Sequence, residues 1–216
     1  IWMVLIWSME ALDLVRRHDL QASASVLDAL REETPKDVGN VQTQITGSVR
    51  ALVDCAALSC EELGYTTVRL TSSLACEARE AGAFLGAIAR DHATDQADVA
   101  FVAGGETVVH LRGDGLGGRN QELALAAAPA LAGLADVCLI SVGSDGTDGP
   151  TDAAGGYVDG STKAALAEHG LSVSEVLGRS DAYHALEACG GLVKTGPTGT
   201  NVNDVAVVLV RRGGTS

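Results

Sequence analysis

The chain reads as an α/β protein, a mixed and mostly parallel sheet with helices on both faces and one β-hairpin. Three observations predict this. Short β-branched apolar runs (Tyr65–Leu70, Val99–Val102, Val137–Val142, Val205–Val210) alternate with longer Ala- and Leu-rich segments of helical spacing. Several of these runs are apolar throughout rather than alternating, as strands covered on both faces are. Glycine is abundant, with 26 residues, and gathers in short polar stretches between the runs.

Taken in order, residues 9–31 carry helical spacing through Leu12, Val15, Leu20, Val26, Leu27 and Leu30, with a break near His18-Asp19. The charged stretch 32–40, EETPKDVGN, holds Pro35 and Gly39 and reads as a linker. This divides the chain into residues 1–40, the tail of a preceding domain plus linker, and 41–216, an α/β domain. Val41–Val49 is expected to be a strand, Ala51–Leu63 a helix stopped at Gly64, and Tyr65–Leu70 a second strand. Ser72-Ser73 could cap a helix running to about His92. Val99–Val102 and Thr107–Leu111 flank Ala103-Gly104-Gly105-Glu106 and suggest the hairpin. A helix over about Asn120–Leu131, a buried strand Val137–Val142 and a polar loop 143–160 follow. Two or three short helices fill 161–189. Leu192-Val193 then leads into a polar loop, 195–204, and a last strand.

Composition excludes some functions. The 216 residues are 46% hydrophobic but only 3% aromatic, so the core must be built from Ala, Val and Leu. A net charge of −13 with no basic window argues against nucleic acid and anionic membrane as partners. Five cysteines without a C-x-x-C pair suggest neither a disulfide framework nor a zinc site. The opening Ile1–Trp7 run is far short of the roughly 20 residues that span a bilayer. It begins without Met inside an apolar run, which reads as a cut end. A cytoplasmic setting is expected.

Four constellations could carry chemistry. Residues 111–122, LRGDGLGGRNQE, contain a formal G-x-G-x-x-G (Gly113, Gly115, Gly118) and invite a dinucleotide reading. The context argues otherwise, because the acidic residue wanted about 20 positions on should end the next strand, and Asp136 precedes it. Free N–H groups at a helix start favour an anion, and Arg119 can grip oxygens bidentately; a turn with a structural ion pair is the alternative. Residues 141–156 carry Asp145, Asp148 and Asp152 among glycines beyond the carboxyl end of a buried strand, where ligands gather in open α/β sheets. These carboxylates could hold Mg²⁺ or take a proton from an alcohol, or could be an Asx-rich turn capping helices. Residues 195–204, TGPTGTNVND, can wrap phosphate or sugar hydroxyls, or bond to themselves. Leu74–Arg79 reads from composition as an ordinary helix surface with an ion pair.

Together, GGRNQELAL at 117–125, GSDGTDGPTDAAG at 143–155 and TGPTGTNVND at 195–204 resemble type II glycerate kinases, the ATP-dependent glycerate 2-kinases. Their carboxyl-terminal part is called the MOFRL domain, and members have often been labelled hydroxypyruvate reductases. GGET at 104–107 and SLACEAR at 73–79 fit the same family. Cys76, Val49 and Ser144 depart from its usual Gly, Asn and Thr. The resemblance covers about residues 9–210, with the MOFRL-like part at about 98–210. It implies a cleft shared with an amino-terminal domain that supplies a Gly-rich region and a lysine. Of that domain only the tail has a counterpart here, in residues 9–40, so the chain is expected to be inactive alone.

The resemblance further implies ATP and Mg²⁺ as cofactors, glycerate as substrate, and 2-phosphoglycerate and ADP as products, and leaves room for a homodimer. Arg119, Asp145 and Asp148 become the candidate catalytic residues. Gly117, Gly118, Asn120, Glu122, Thr198, Thr200, Asn201 and Asn203 are candidates for substrate and phosphate binding, and Asp145, Asp148 and Asp152 for the metal. An NAD(P)-dependent hydroxypyruvate reductase and a non-catalytic metabolite-binding fragment stay open as alternatives.

Overall fold

The computed structural model describes residues 8–32, 39–42 and 44–212. The chain divides into two compact units with the boundary between Ile45 and Thr46. In the first unit, α1 (Ser8–Arg17) and α2 (Ala24–Ala29) flank the expected break. Asp19 there adopts a positive φ of 47°, which ends the first helix, and Ser23 caps the second by accepting from Val26 N at 3.4 Å. Residues 33–38 of the expected linker lie outside the described residues.

The second unit begins with α3 (Val49–Glu62), where Ser48 Oγ accepts from Ala51 N at 3.2 Å and caps the helix. It continues through β1 (Thr66–Leu74), α4 (Ala78–His92), β2 (Val99–Gly105), α5 (Arg119–Leu131), β3 (Val137–Gly143) and β4 (Gly155–Asp159). Three short helices follow, α6 (Thr162–Glu168), α7 (Val173–Gly178) and α8 (Ala182–Ala188). β5 (Leu192–Val193) and β6 (Asp204–Val210) complete the unit.

The six strands form one sheet in the order β1-β2-β6-β3-β4-β5. Of its five pairings only β1–β2 is parallel. The expectation of a mostly parallel sheet is therefore corrected to a mixed, mostly antiparallel one. The physical reason lies in β6. It inserts between β2 and β3 and runs against both, yet it is apolar on both faces because helices cover both. Continuous hydrophobicity reports double coverage, not strand direction.

Four local expectations also change. Among the described residues, 41–48 form no strand, and Val49 opens α3. The strand expected to end at Leu70 runs on to Leu74, so Ser72-Ser73 lie in β1 and Glu77 is the N-cap of α4. There is no hairpin over 99–111, since Val108 makes a single parallel bridge to Glu77. The loop expected over 143–160 hides strand β4.

One sheet face packs α3, with Val53 and Ala57 against Val102 and Val205. The other packs α4 and α5, with Ala81, Leu85, Leu123 and Leu125 over Phe101, Leu139, Ala206 and Val208. The two helices approach closely enough that a Cβ on Gly82 would lie 2.0 Å from Leu123 O. Small residues substitute for aromatics here: helix backbones nearly touch instead of being spaced by rings. Period-two alternation then fixes which strand residues face α5. They include Ser141 and Gly143 on β3, Gly105 on β2, and Asp204 at the head of β6, where it registers with both glycines.

Candidate functional site

The carboxyl ends of β2 and β3 and the amino end of β6 meet at one edge of the sheet, so the motif loops leave or enter it together. The loop 144–154 pairs with 195–203. Ser144 N donates to Asn203 O at 3.0 Å, Val202 N to Ser144 Oγ at 2.8 Å, and Thr198 N to Asp145 O at 3.1 Å. Thr198 Oγ1 donates to Ser144 O. Gly146 (φ +83°) sits so close that a Cβ would lie 2.0 Å from Gly196 O, so only glycine fits this approach.

Arg119 is the first residue of α5. Its Nε and Nη2 donate to Asp204 Oδ2 and Oδ1 at 2.5 and 2.9 Å, a side-on bidentate pair. Asp204 is buried, and Glu106 Oε1, on an exposed side chain, lies 3.8 Å from the same Nη2. The Asp204 hydrogen bond raises the guanidinium pKa further, so Arg119 stays charged.

Asp148 is also buried, and its oxygens accept from Asn120 N, Asn120 Nδ2 and Gln121 N at 3.1, 3.3 and 2.9 Å. It therefore caps α5 across space, where Gly118, the sequential N-cap, has no side chain to do so. Burial pushes its carboxyl pKa up, opposed by those N–H donors. Gly118 is needed for contact, since a Cβ would fall 2.3 Å from Asp148 Cγ, and Gly117 O lies close against Gly149. Asn120 Oδ1 accepts from Ser141 Oγ at 2.6 Å. Buried Glu122 pairs with Arg79 Nη2 at 2.8 Å, pointing into the protein rather than to the loops; burial raises its pKa, and Arg79 lowers it. Thr107, Asn120, Ser141 and Asp204 line a crevice of about 10 Å³, room for about one water. Any larger ligand must sit outside it.

The three candidate metal carboxylates are not assembled into a metal site. Asp148 is used by α5. Asp152 is exposed and takes Tyr183 OH at 2.7 Å and Lys194 Nζ at 3.0 Å, which hold its pKa down. Asp145, half-buried, accepts from Thr147 N at 3.0 Å and Asn201 Nδ2 at 3.3 Å. Among the described residues no group of three or more His, Cys, Asp or Glu could hold a metal ion. Asn203 has a positive φ of 67°, and its N–H donates to Asn201 Oδ1 at 3.2 Å; Thr200 N donates to Thr198 Oγ1.

The glycines of the formal dinucleotide motif serve packing. Gly115 N donates to Arg179 O at 3.1 Å and Leu116 N to Asp181 Oδ1 at 2.9 Å, and a Cβ on Gly115 would lie 2.6 Å from Arg179 O. A pyrophosphate has no approach to that backbone. A groove of about 370 Å³ lies at the opposite sheet edge among Tyr65, Cys138, Tyr157, Asp159 and Arg211, and none of the motif residues reach it. The loop edge, where a fixed arginine stands beside both motif loops, is the better candidate, with the α5 N-terminus already capped by Asp148.

Sequence reasoning passed over Asp204, Glu106 and the Tyr183–Lys194 pair. Asp204 left one signal: a carboxylate heading an otherwise apolar strand needs a cationic partner.

The fold and this edge define an α/β protein with an arginine at a helix start, held by a buried aspartate and flanked by hydroxyl- and amide-rich loops. Residues 99–204 match the MOFRL family, and the chain belongs to it. It is similar to the D-glycerate 2-kinase of Thermotoga maritima, at 46% identity over 94% of this chain and 50% of that protein. It is also similar to the glycerate 2-kinase of Pyrococcus horikoshii, at 42% identity over 83% of this chain and 42% of that protein. The crystal structure of glycerate kinase from Thermotoga maritima superposes with a TM-score of 0.82, at 45% identity, covering 95% of this chain and 51% of that one. The chain thus spans about half the length of these relatives and aligns with their carboxyl-terminal half.

Proposed function

We propose that this chain is the carboxyl-terminal part of an ATP-dependent glycerate 2-kinase, converting glycerate and ATP to 2-phosphoglycerate and ADP. The observation that carries the proposal is the Arg119 guanidinium, fixed at the start of α5 beside both motif loops, in a chain similar to glycerate 2-kinases throughout. Phosphoryl transfer asks chiefly for positioning and charge stabilisation. Arg119 supplies positive charge for the transferred phosphoryl group or the glycerate carboxylate. Asp145 orients the glycerate hydroxyl, and Thr198, Thr200, Asn201 and Asn203, with Gly117 and Gly118, line the cleft.

Asp148, Asn120 and Glu122 support α5 rather than touching ligand. No resident Mg²⁺ site follows from the three aspartates. Mg²⁺ in such sites is held largely by nucleotide phosphates with one or two carboxylates, and Asp145 is the one of the three open to it. Residues 1–40 are proposed as the tail of a preceding domain, 41–216 as the domain carrying this edge of the cleft, and the setting as cytoplasmic. Among the described residues no helix is long and apolar enough to cross a membrane.

The test is an assay of the polypeptide encoded by the complete reading frame. Glycerate-dependent ADP formation with 2-phosphoglycerate identified by NMR supports the proposal. NADH oxidation with hydroxypyruvate and no ADP formation sinks it.

A further inference from the structure

Arg119 faces two carboxylates of opposite character. Asp204 is buried, heads β6 and is locked between Gly105 and Gly143 by the sheet register. It takes the Nε/Nη2 edge of the guanidinium at 2.5 and 2.9 Å. Glu106 follows the end of β2, has a side chain 60% exposed, and stands 3.8 Å from Nη2, beyond hydrogen-bond distance. One carboxylate cannot leave, and the other is held by charge alone.

A guanidinium offers two forks of parallel N–H donors. With the Nε/Nη2 fork taken by Asp204, only the Nη1/Nη2 fork remains to meet a ligand. We infer that Asp204 is a positioning residue that presents the Nη1/Nη2 edge of Arg119 to a phosphoryl or carboxylate oxyanion, and that Glu106 is a displaceable counter-charge at that edge. This rests on the oxyanion role given to Arg119 above and adds which edge acts and what holds it.

The two acids therefore have opposite effects on binding. Glu106 competes with the incoming oxyanion, so removing its charge strengthens binding. Asp204 also carries negative charge, yet removing it frees the guanidinium to turn, so binding weakens. A neighbour acting only through its charge would strengthen binding in both cases.

The test uses the ¹⁵N-labelled chain at low ionic strength, titrated with inorganic phosphate and separately with D-glycerate. Shifts of the backbone amides of 117–120 report affinity, and the Arg119 Nε–Hε signal, identified by its loss in Arg119→Ala, reports the clamp. The wild-type chain is expected to show a slowly exchanging Nε–Hε that persists on ligand binding. Glu106→Gln is expected to bind about threefold tighter, an effect lost at high salt. Asp204→Asn is expected to bind about tenfold weaker and to exchange Nε–Hε rapidly. A response to phosphate assigns the edge to phosphoryl oxygens, and a response to D-glycerate alone assigns it to the substrate carboxylate.

Tighter binding by Asp204→Asn, or unprotected Nε–Hε in the wild type, overturns the inference and leaves the oxyanion role of Arg119 standing. Protected Nε–Hε with no response to either ligand overturns it through that role instead. Should Asp204→Asn fail to fold, Glu106→Gln and the wild-type exchange rate still decide, and unchanged affinity in Glu106→Gln refutes the displaceable charge.

Discussion

The carboxylate of Asp148 caps helix α5 from 28 residues away, accepting the Asn120 and Gln121 backbone N–H groups at 3.1 and 2.9 Å. A residue expected to act on ligand anchors the start of the helix that carries Arg119. Asp148→Ala leaves two buried N–H groups without acceptors and is expected to cost about 2–4 kcal/mol. Asp148→Asn keeps an acceptor and should cost less. Urea unfolding of both variants checks the order, and equal costs would refute the capping role.

Arg119→Ala is not a purely kinetic variant. It strands buried Asp204 without its cation, and about 2–3 kcal/mol of stability should be lost along with the kinase activity proposed for the full-length polypeptide. Arg119→Lys keeps the charge but not the fork, so it should recover most of the stability and little of the activity. Thermal denaturation beside the kinase assay separates the two effects.

The exposed Asp152 gives a pH signature. Hydrogen bonds from Tyr183 and Lys194 depress its pKa below the ordinary 3.8. For a depressed carboxyl the stabilisation is present above the unfolded pKa and lost as pH falls through the folded one. Lys194→Met is expected to move the Asp152 titration upward toward 3.8, read from its carboxyl ¹³C shift. An unmoved midpoint would show that the contact is not maintained in solution.

Gly146→Ala should loosen the pairing of the two motif loops. Its positive φ and the Gly196 carbonyl, 2.0 Å from where a Cβ would stand, leave no room for a methyl group. A loss of about 1–3 kcal/mol is expected, with faster amide exchange at Ser144, Thr198 and Val202. Unchanged exchange there would refute the tight approach.

All five cysteines are free thiols, and their burial ranks their reactivity. Cys55 and Cys76 are exposed and should alkylate first. Burial raises the thiol pKa of Cys60, Cys138 and Cys189, which favours the unreactive protonated form. Mass spectrometry after a brief iodoacetamide pulse checks the order.

Most elements were legible because their signals are local. Apolar runs marked β2, β3 and β6, Gly64 marked the end of α3, and the glycine and hydroxyl clusters marked the loops that gather at one edge. β4 was hidden because GGYVD is short and two of its five residues are glycine. The hairpin failed because Thr107–Leu111 has strand composition but finds almost no strand to pair with. Among the site residues, Arg119 and Asp145 lie where the loops meet. Asp148, Asp152 and Glu122 are taken by other partners.

The sequence by itself determined the layered α/β class, an aromatic-poor core of small residues, and the motif set that marks the MOFRL family. Each depends on residue type and spacing along the chain. Only the tertiary structure decided strand direction and the division of labour among the acids. β6 runs against both neighbours because of where the chain enters the sheet. Asp204 and Asp148 differ from Asp145 through what lies beside each of them, and a carboxylate looks the same in sequence whether it caps a helix, clamps an arginine or ties two loops together.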